Sequence, residues 1–378
     1  MRIALIRQRY NAFGGAERFI ERTLAALAGE RDVSLTLLAR HWQGESALAA
    51  VQRCDPFYLG RTWRDWSFAR AACKAVAAGG FDLVQSHERI ACCDIFRAGD
   101  GVHAQWLANR GRALDGLARL APLASPWHRY TLAAERRLFS SAKLKAVICN
   151  SRMVAEEVER HFGVDAAKLH VIYNGVDLER FHPRLKIQWR DVVRARLGIP
   201  ADAMMFLLVG SGFERKGVPV LLEAFARIGP ASDRYLVIVG ADRKTNTLKQ
   251  RAQALGIAAQ TRFPGPQQDI APWYAAADCF VLPTLYDPFP NAVLEAMACG
   301  LPVITSLQCG AAELIEAGRN GWVCDALDAA ALAAHLSALD PALARRAGAE
   351  ARTLAERFPL DAMAAELVVL YRRLLTGK

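Results

Sequence analysis

The chain is 378 residues long, 53% hydrophobic and 23% charged, with a formal net charge of +10. That length exceeds what one compact core ordinarily holds, so two domains are expected, and the apolar content excludes a disordered polymer. A mean hydropathy of +0.09 excludes a polytopic membrane protein, and no stretch approaches the roughly 18 uncharged apolar residues that a membrane-spanning helix needs.

The first nine residues hold four apolar side chains between arginines and no small-residue cleavage site, so they read as a buried strand over 3–6 rather than a signal peptide. Gly14 and Gly15 follow, between that strand and a predicted helix over 16–28. Glycines at such a junction let a backbone come close to a ligand, and the helix start favours negative charge. No G-x-G-x-x-G follows, which counts against a dinucleotide site. Further strands are predicted over 33–38, 81–84 and 146–149, with helices over 63–78 and 153–162. Buried strands alternating with helices predict an α/β fold with a parallel sheet and crossover helices.

Residues 1–170 carry 25 Lys and Arg against 17 Asp and Glu, so most of the positive excess lies in the first half. It is densest over 103–145, where Trp106, Arg110, Arg112, Arg119, Trp127 and Arg129 alternate with leucines at helical spacing. The pattern fits a helix lying on an anionic membrane surface and fits equally an ordinary solvated helical layer. No helix-turn-helix, zinc-finger or aromatic RNA-binding signature is present, so no nucleic-acid partner is expected. The nine cysteines include no C-x-x-C pair and have mostly apolar neighbours. They are expected to be reduced core residues of a cytoplasmic protein.

The α/β pattern restarts after Gly175, with strands over 205–209, 235–239, 261–263, 279–282 and 302–305 and helices over 216–228, 245–255, 291–299 and 328–338. The Asn174-Gly175 turn places the join, giving domains 1–172 and 173–358. A last helix, within 359–378, has no strand after it and is expected to pack back on the first domain. Sheets of this kind bind ligands at the carboxyl ends of their strands, so a pair of them predicts a cleft.

Two motifs in this half carry chemistry. In Gly210-Ser211-Gly212-Phe213-Glu214-Arg215-Lys216-Gly217, the spacing of Gly212 and Gly217 imitates a P-loop, but Val218 and Pro219 replace its Lys and Ser or Thr. Two cations at a helix start oppose the helix dipole unless an anion such as a diphosphate compensates. In the run from Tyr286 to Ile304, Asp287 precedes Glu295 by eight residues, with Phe289, Pro290, Asn291 and Ala292 forming a turn between them. Glu295 sits among Ala, Val, Leu and Met, so its carboxylate must be paired or face a ligand. Two carboxylates above a phosphate site suit the hydroxyls of a sugar and a ribose; alternatively, Asp287 caps the turn and Glu295 pairs with an arginine.

Over nearly its whole length the sequence resembles the retaining GT-B glycosyltransferases of glycosyltransferase family 4. The resemblance rests on the Gly14-Gly15 loop, Asn174-Gly175-Val176-Asp177, Glu214-Arg215-Lys216-Gly217, the Glu-x7-Glu motif occupied by Asp287 and Glu295, and Asn320-Gly321. Within that family it looks most like the lipopolysaccharide core glucosyltransferases that add glucose to inner-core heptose. The fold implied is two Rossmann-like parallel-sheet domains, the first on the acceptor side and the second binding the donor. The donor implied is UDP-glucose and the acceptor is lipopolysaccharide core heptose. Arg215 and Lys216 would hold the diphosphate, Glu295 the ribose, and Asp287 with the Phe289-Pro290-Asn291-Ala292 turn the sugar, while Phe263 and Pro264 flank the base. Gly14 and Gly15 would approach the phosphate and the acceptor. Asp100 matches a loop where the family carries a catalytic His or Asp, and His87 and His103 join it on the acceptor side.

The resemblance implies front-face transfer with retention, assisted by the leaving phosphate. No D-x-D triplet occurs, so no metal and no further cofactor is expected, with Arg215 and Lys216 doing a metal's electrostatic work. Trp106, Arg110, Arg112 and Arg119 would face the anionic inner membrane, making the protein peripheral on its cytoplasmic side. The rival readings are a family member using UDP-GlcNAc, UDP-galactose or a lipid-linked acceptor, and a non-catalytic nucleotide-sugar-binding protein.

Overall fold

A computed structural model of the protein describes residues 2–9, 34–41, 50–116, 124–229 and 233–376. Gly14, Gly15, the predicted helix over 16–28 and Arg119 lie outside the described residues. The chain divides into two compact units, one formed by Met1–Asn174 with Leu360–Lys378 and the other by Gly175–Pro359.

In the first unit, seven parallel strands run in the order β3-β2-β1-β4-β5-β6-β7. They are β1 (Arg2–Ile6), β2 (Ser34–Ala39), β3 (Ala50–Arg53), β4 (Leu83–Ser86), β5 (Ile95–Arg97), β6 (Ala146–Cys149) and β7 (Leu169–Val171). The strand predicted from 81 begins two residues later, at Leu83, just after Asp82, whose carboxylate accepts from the Arg2 amide at 2.7 Å. Two strands of this sheet escaped the sequence reading, β3 and β5, which have only four and three residues, whereas the strand expected to run into the Asn174-Gly175 turn is β7, ending at Val171.

Strand residues alternate between two cores. Ala4 and Ile6 face Phe68 and Ala72 of α1 (Gly60–Gly79) and Val154 and Val158 of α4 (Arg152–Phe162). The Ser151 hydroxyl caps α4 by accepting from the Val154 amide at 3.2 Å. Between these helices lie α2 (His103–Arg112) and α3 (Pro126–Phe139). On the opposite face, Ile3 and Leu5 meet Met363, Leu367, Leu370 and Tyr371 of the last helix, Leu360–Thr376. Burying each such side chain contributes about 1.5–3 kcal/mol.

One cysteine expectation is corrected. Cys73 on α1 and Cys92 after β4 form a disulfide, with Cα atoms 5.8 Å apart. The turn from α1 into β4 brings these residues together, and no sequence spacing announces it. Cys54, Cys93, Cys149, Cys279, Cys299, Cys309 and Cys324 are buried and unbonded.

The second unit has a six-stranded parallel sheet in the order β10-β9-β8-β11-β12-β13. Its strands are β8 (Met204–Val209), β9 (Arg234–Val239), β10 (Thr261–Gly265), β11 (Cys279–Leu282), β12 (Val303–Ser306) and β13 (Gly321–Cys324). Its helices are α5 (Leu185–Leu197), α6 (Val218–Ile228), α7 (Thr245–Ala254), α8 (Ala271–Ala276), α9 (Asn291–Ala298), α10 (Ala329–Ala338) and α11 (Pro341–Ala355), and the last helix of the chain is α12. Helix α5 was missed because its buried face carries an arginine. The Arg194 guanidinium donates to the carbonyls of Ala276, Pro200, Ala201 and Ala203 at 2.8–3.1 Å and to Asp278 at 2.6 Å. The strand order reverses between β8 and β11, which is where doubly wound sheets open a crevice at their carboxyl ends.

Candidate functional site

The loops after β8 and β11 meet at that reversal. Residues 210–217 fold back on themselves through Lys216 N–Gly212 O at 3.1 Å and Val218 N–Phe213 O at 3.0 Å. Arg215 and Lys216 therefore lie in the loop ahead of α6, not within the predicted helix start. The Arg215 carbonyl accepts from the Leu285 amide and the Thr284 hydroxyl, each at 2.8 Å, which ties the two loops together. Gly217, at φ 76°, permits this approach: a Cβ there would fall on the Pro283 carbonyl.

The bound loops bring three charges to one point. Lys216 Nζ donates to Asp287 Oδ2 at 2.6 Å and Arg215 Nη1 to the same oxygen at 3.0 Å. Arg215 also donates to the Tyr286 carbonyl at 3.1 Å. Lys216 and Asp287 are each 7% exposed. Burial alone would raise the Asp287 carboxyl, but the Lys216 ammonium and Arg215 guanidinium outweigh it and hold the group below the usual carboxylate range. Asp287 is thus an ionised strut that positions two cations and leaves one positive charge over.

Glu295 lies on α9, buried, and Oε2 accepts from the Tyr274 hydroxyl of α8 at 3.0 Å. Phe289 is buried, Pro290 precedes the first turn of α9, and Asn291 and Ala292 are half-buried within that turn. Pro264 is half-buried in β10, following Phe263, whose ring stands 6.5 Å from that of Phe213. The Asn320 side chain is occupied locally, with the Glu316 amide at 2.8 Å and the Leu314 carbonyl at 3.0 Å, so this shared motif shapes the turn before β13.

In the first unit, Asp100 lines a cavity of about 170 Å³ with Gln8, Asp65, Glu88, Arg89 and Trp127. Sequence reasoning missed Asp65, which accepts from Trp127 Nε1 at 2.7 Å, Arg64 Nε at 2.8 Å and Gln8 Nε2 at 3.2 Å. Burial opposes its ionisation, but these three donors outweigh it and lower its pKa. Arg89 was missed too; it donates to the buried Glu135 at 2.8 Å and to the Gly101 carbonyl at 3.1 Å, behind Asp100.

His103 opens α2, where its amide donates to Glu135 at 2.7 Å and its Nε2 lies 2.9 Å from His128 Nδ1. Burial, Arg89, His128 and Arg61 push the ring down to about 3. At neutral pH it can exchange a hydrogen bond with a hydroxyl but carries no charge and is a weak base. His87 is also neutral, pushed well below its ordinary value by burial and then by Arg97 and Arg7. Its Nε2 stands 3.1 Å from Gln85 Nε2, while Gln85 Oε1 accepts from Tyr371 Oη at 2.5 Å. With that amide orientation Gln85 donates to His87 Nε2, which leaves the imidazole proton on Nδ1.

The basic segment is mixed. Trp106 and Arg110 are half-buried, Arg112, Arg129, Arg136 and Arg137 are exposed, and Trp127 turns inward to Asp65 beneath the Arg61 guanidinium, 4.0 Å from the ring. Large apolar groups of this unit that reach solvent, among the described residues, include Val51, Phe57, Leu59, Trp63 and Trp66. Among the described residues, no helix is long and apolar enough to cross a membrane, and no group of three or more His, Cys, Asp or Glu gathers as a metal site.

Two Rossmann-like sheets, each reversing strand order beside a polar cluster, make the GT-B architecture of sugar-transferring enzymes. Residues 13–180 match the family described as Glycosyltransferase Family 4, and residues 190–353 match Glycosyl transferases group 1. The chain is 32% identical over 324 residues to the D-inositol 3-phosphate glycosyltransferase of Streptomyces bingchenggensis (strain BCW-1), covering 79% of this chain and 68% of the relative. The chain belongs to the glycosyltransferases of this group. Among solved structures, its fold is similar to that of WaaG, a glycosyltransferase involved in lipopolysaccharide biosynthesis, with TM-score 0.84 and 22% identity over all of both chains. It is also similar to Anabaena Alr3699/HepE in complex with UDP-glucose, with TM-score 0.71 and 19% identity over 98% of this chain and 99% of that one.

Proposed function

We propose that the protein is a retaining hexosyltransferase that moves glucose from UDP-glucose to an inner-core heptose of lipopolysaccharide, the second unit holding the donor and the first the acceptor. The observation that carries this reading is the Arg215–Lys216–Asp287 cluster at the carboxyl ends of β8 and β11. A diphosphate entering there competes with Asp287 for both cations. As the glycosidic bond breaks, negative charge grows on the leaving phosphate, and the two cations stabilise it more strongly than the ground state. Asp287, released from part of its pairing, can then accept hydrogen bonds from sugar hydroxyls. Glu295, steadied by Tyr274, accepts from the ribose. The chemistry is front-face: the acceptor hydroxyl arrives on the side the phosphate leaves, and its proton passes to that phosphate. Arg215 and Lys216 supply the positive charge, so no divalent metal is required. The structural likeness to HepE with UDP-glucose supports the donor, and that to WaaG supports the acceptor.

A second reading places a phosphorylated polyol as acceptor, favoured by the identity with a D-inositol 3-phosphate glycosyltransferase. UDP-GlcNAc and UDP-galactose are the rival donors. Thermal melting tests the donor. UDP-glucose at a hundred times its dissociation constant should add about 2.7 kcal/mol of stability, while NAD and ATP leave the melting temperature unchanged. No shift with any uridine nucleotide would overturn the reading. Product formation with heptose-bearing core oligosaccharide against inositol 3-phosphate then decides the acceptor.

Peripheral membrane association is also proposed, supported by the exposure of Arg112, Arg129, Arg136 and Arg137 and of Phe57 and Leu59 in the same unit. Replacing Arg112, Arg129 and Arg136 with Gln should abolish sedimentation with anionic vesicles at low salt; unchanged sedimentation refutes it.

A further inference from the structure

The second unit carries a cavity that the proposed transfer does not use. It measures about 420 Å³ and is lined from α5, from the residues leading into β8, from Asp278 just before β11 and from the start of α11. These are the amino ends of the strands, whereas Lys216 and Asp287 follow their carboxyl ends. A six-residue strand at about 3.3 Å per residue separates the two places by roughly 20 Å.

The cavity is cationic beyond its own needs. Lys186 and Arg190 line it one turn apart on α5, and Arg345 joins from the first turns of α11. Asp278 is already engaged, by Arg194 at 2.6 Å and by Arg190 at 2.8 Å. Asp340 is spent on capping α11, where it accepts from the Ala342 and Leu343 amides at 2.7 Å. Asp202, exposed at the rim, is the remaining lining carboxylate. Lys186 is half-buried, and among the described residues no acceptor lies within hydrogen-bond or ion-pair range of its ammonium, which offers three donors. Burial pushes its pKa down, Asp278 opposes this, and the like charges of Arg190 and Arg194 add to the fall. A half-buried cation whose neighbouring carboxylate, Asp278, is already paired with two arginines, set beside two guanidinium groups in an open cavity, is an arrangement that an oxyanion completes.

We propose that this cavity is a second phosphate site, separate from the donor site, which binds a phosphate monoester through Lys186, Arg190 and Arg345. The ester belongs either to a small soluble molecule or to a lipid headgroup, and the chemistry recognised is the same. An occupant would tie α5 to α11 and so stabilise the folded unit.

The test uses inorganic phosphate against chloride at matched ionic strength, with the full chain. Phosphate should raise the melting temperature of the wild type and of Lys216→Ala, because the donor loop is not involved. In the variant with Lys186→Gln and Arg345→Gln, at least tenfold more phosphate should be needed for the same rise. Both changes leave the Arg190 and Arg194 pairing with Asp278 intact, and circular dichroism verifies folding. In the wild type, phosphate should also protect Lys186 from amine-directed acetylation, read by peptide mass spectrometry. An equal rise in the double variant, loss of the rise in Lys216→Ala, or no protection of Lys186 each overturns the proposal. Vesicles containing phosphatidate that compete with phosphate at Lys186 identify a lipid headgroup as the source; vesicles that fail to compete identify a soluble ester.

Discussion

Lys216→Ala should lower kcat by about 10²–10³-fold, the range seen when one preorganised charge-stabilising donor is removed from a reaction centre. The ammonium is buried against Asp287 at 2.6 Å, so its position is fixed before any ligand arrives and no reorganisation is needed as charge develops on the leaving phosphate. The fold should survive, because Arg215 remains on the same carboxylate oxygen at 3.0 Å and its side chain, 39% exposed, keeps one end in water. Arg215→Ala should cost less in rate for that reason, since a partly hydrated cation stabilises charge less strongly than a buried one. Turnover with UDP-glucose and circular dichroism on the same preparation check both. A Lys216→Ala protein that is folded and turns over near the wild-type rate would remove the diphosphate role from this residue.

Gly217→Ala should destabilise the second unit by about 3 kcal/mol or more, through backbone strain at positive φ and collision of the new methyl with a carbonyl. The obstacle is the Pro283 main chain at the end of β11, which cannot swing aside as a side chain would. For a unit of this size such a loss lowers the melting temperature by about 6–12 °C. Gly210→Ala offers a partial contrast: at φ 151° its backbone is strained for any side chain too, but its added Cβ would meet the far end of the Lys216 side chain at 3.0 Å, which can shift, instead of a main-chain carbonyl. It should melt closer to the wild type yet lose activity, because the shift displaces the ammonium. Equal melting of Gly217→Ala and wild type would mean that the loops after β8 and β11 are not held as closely as their hydrogen bonds imply.

Most strands of the second sheet were legible because runs such as Met205 to Leu208 are buried on both faces and read as unbroken apolar stretches. Two longer helices escaped for one cause: their buried residues do not look buried. Arg194 is the inward group of α5, and α11 packs through alanines and Gly348, whose small size allows close approach to the Gly300 carbonyl. The site was legible as residue types but not as contacts. Arg215, Lys216 and Asp287 were each expected to touch ligand, yet nothing in the 70 residues between Lys216 and Asp287 indicates that they bind one another first. Tyr274, which steadies Glu295, belongs to a six-residue helix too short to show a period. Asp65 and Arg89 sit among other charged residues and become distinctive only through what they face.

The return of α12 to the first sheet also sets an order of events during synthesis. The second unit has its chain in one uninterrupted stretch, Gly175–Pro359, whereas the first needs residues on both sides of it. Ile3, Leu5, Leu83 and Ile95 keep one face of their sheet bare until Leu367, Leu370 and Tyr371 have been made. At about 5–20 residues per second, the 197 residues from Gly175 to Tyr371 take roughly 10–40 s to synthesise. Throughout that interval the amino-terminal sheet, though translated first, exposes apolar surface, and the Gln85 amide that orients His87 lacks its tyrosine. The unit begun first is therefore the one finished last.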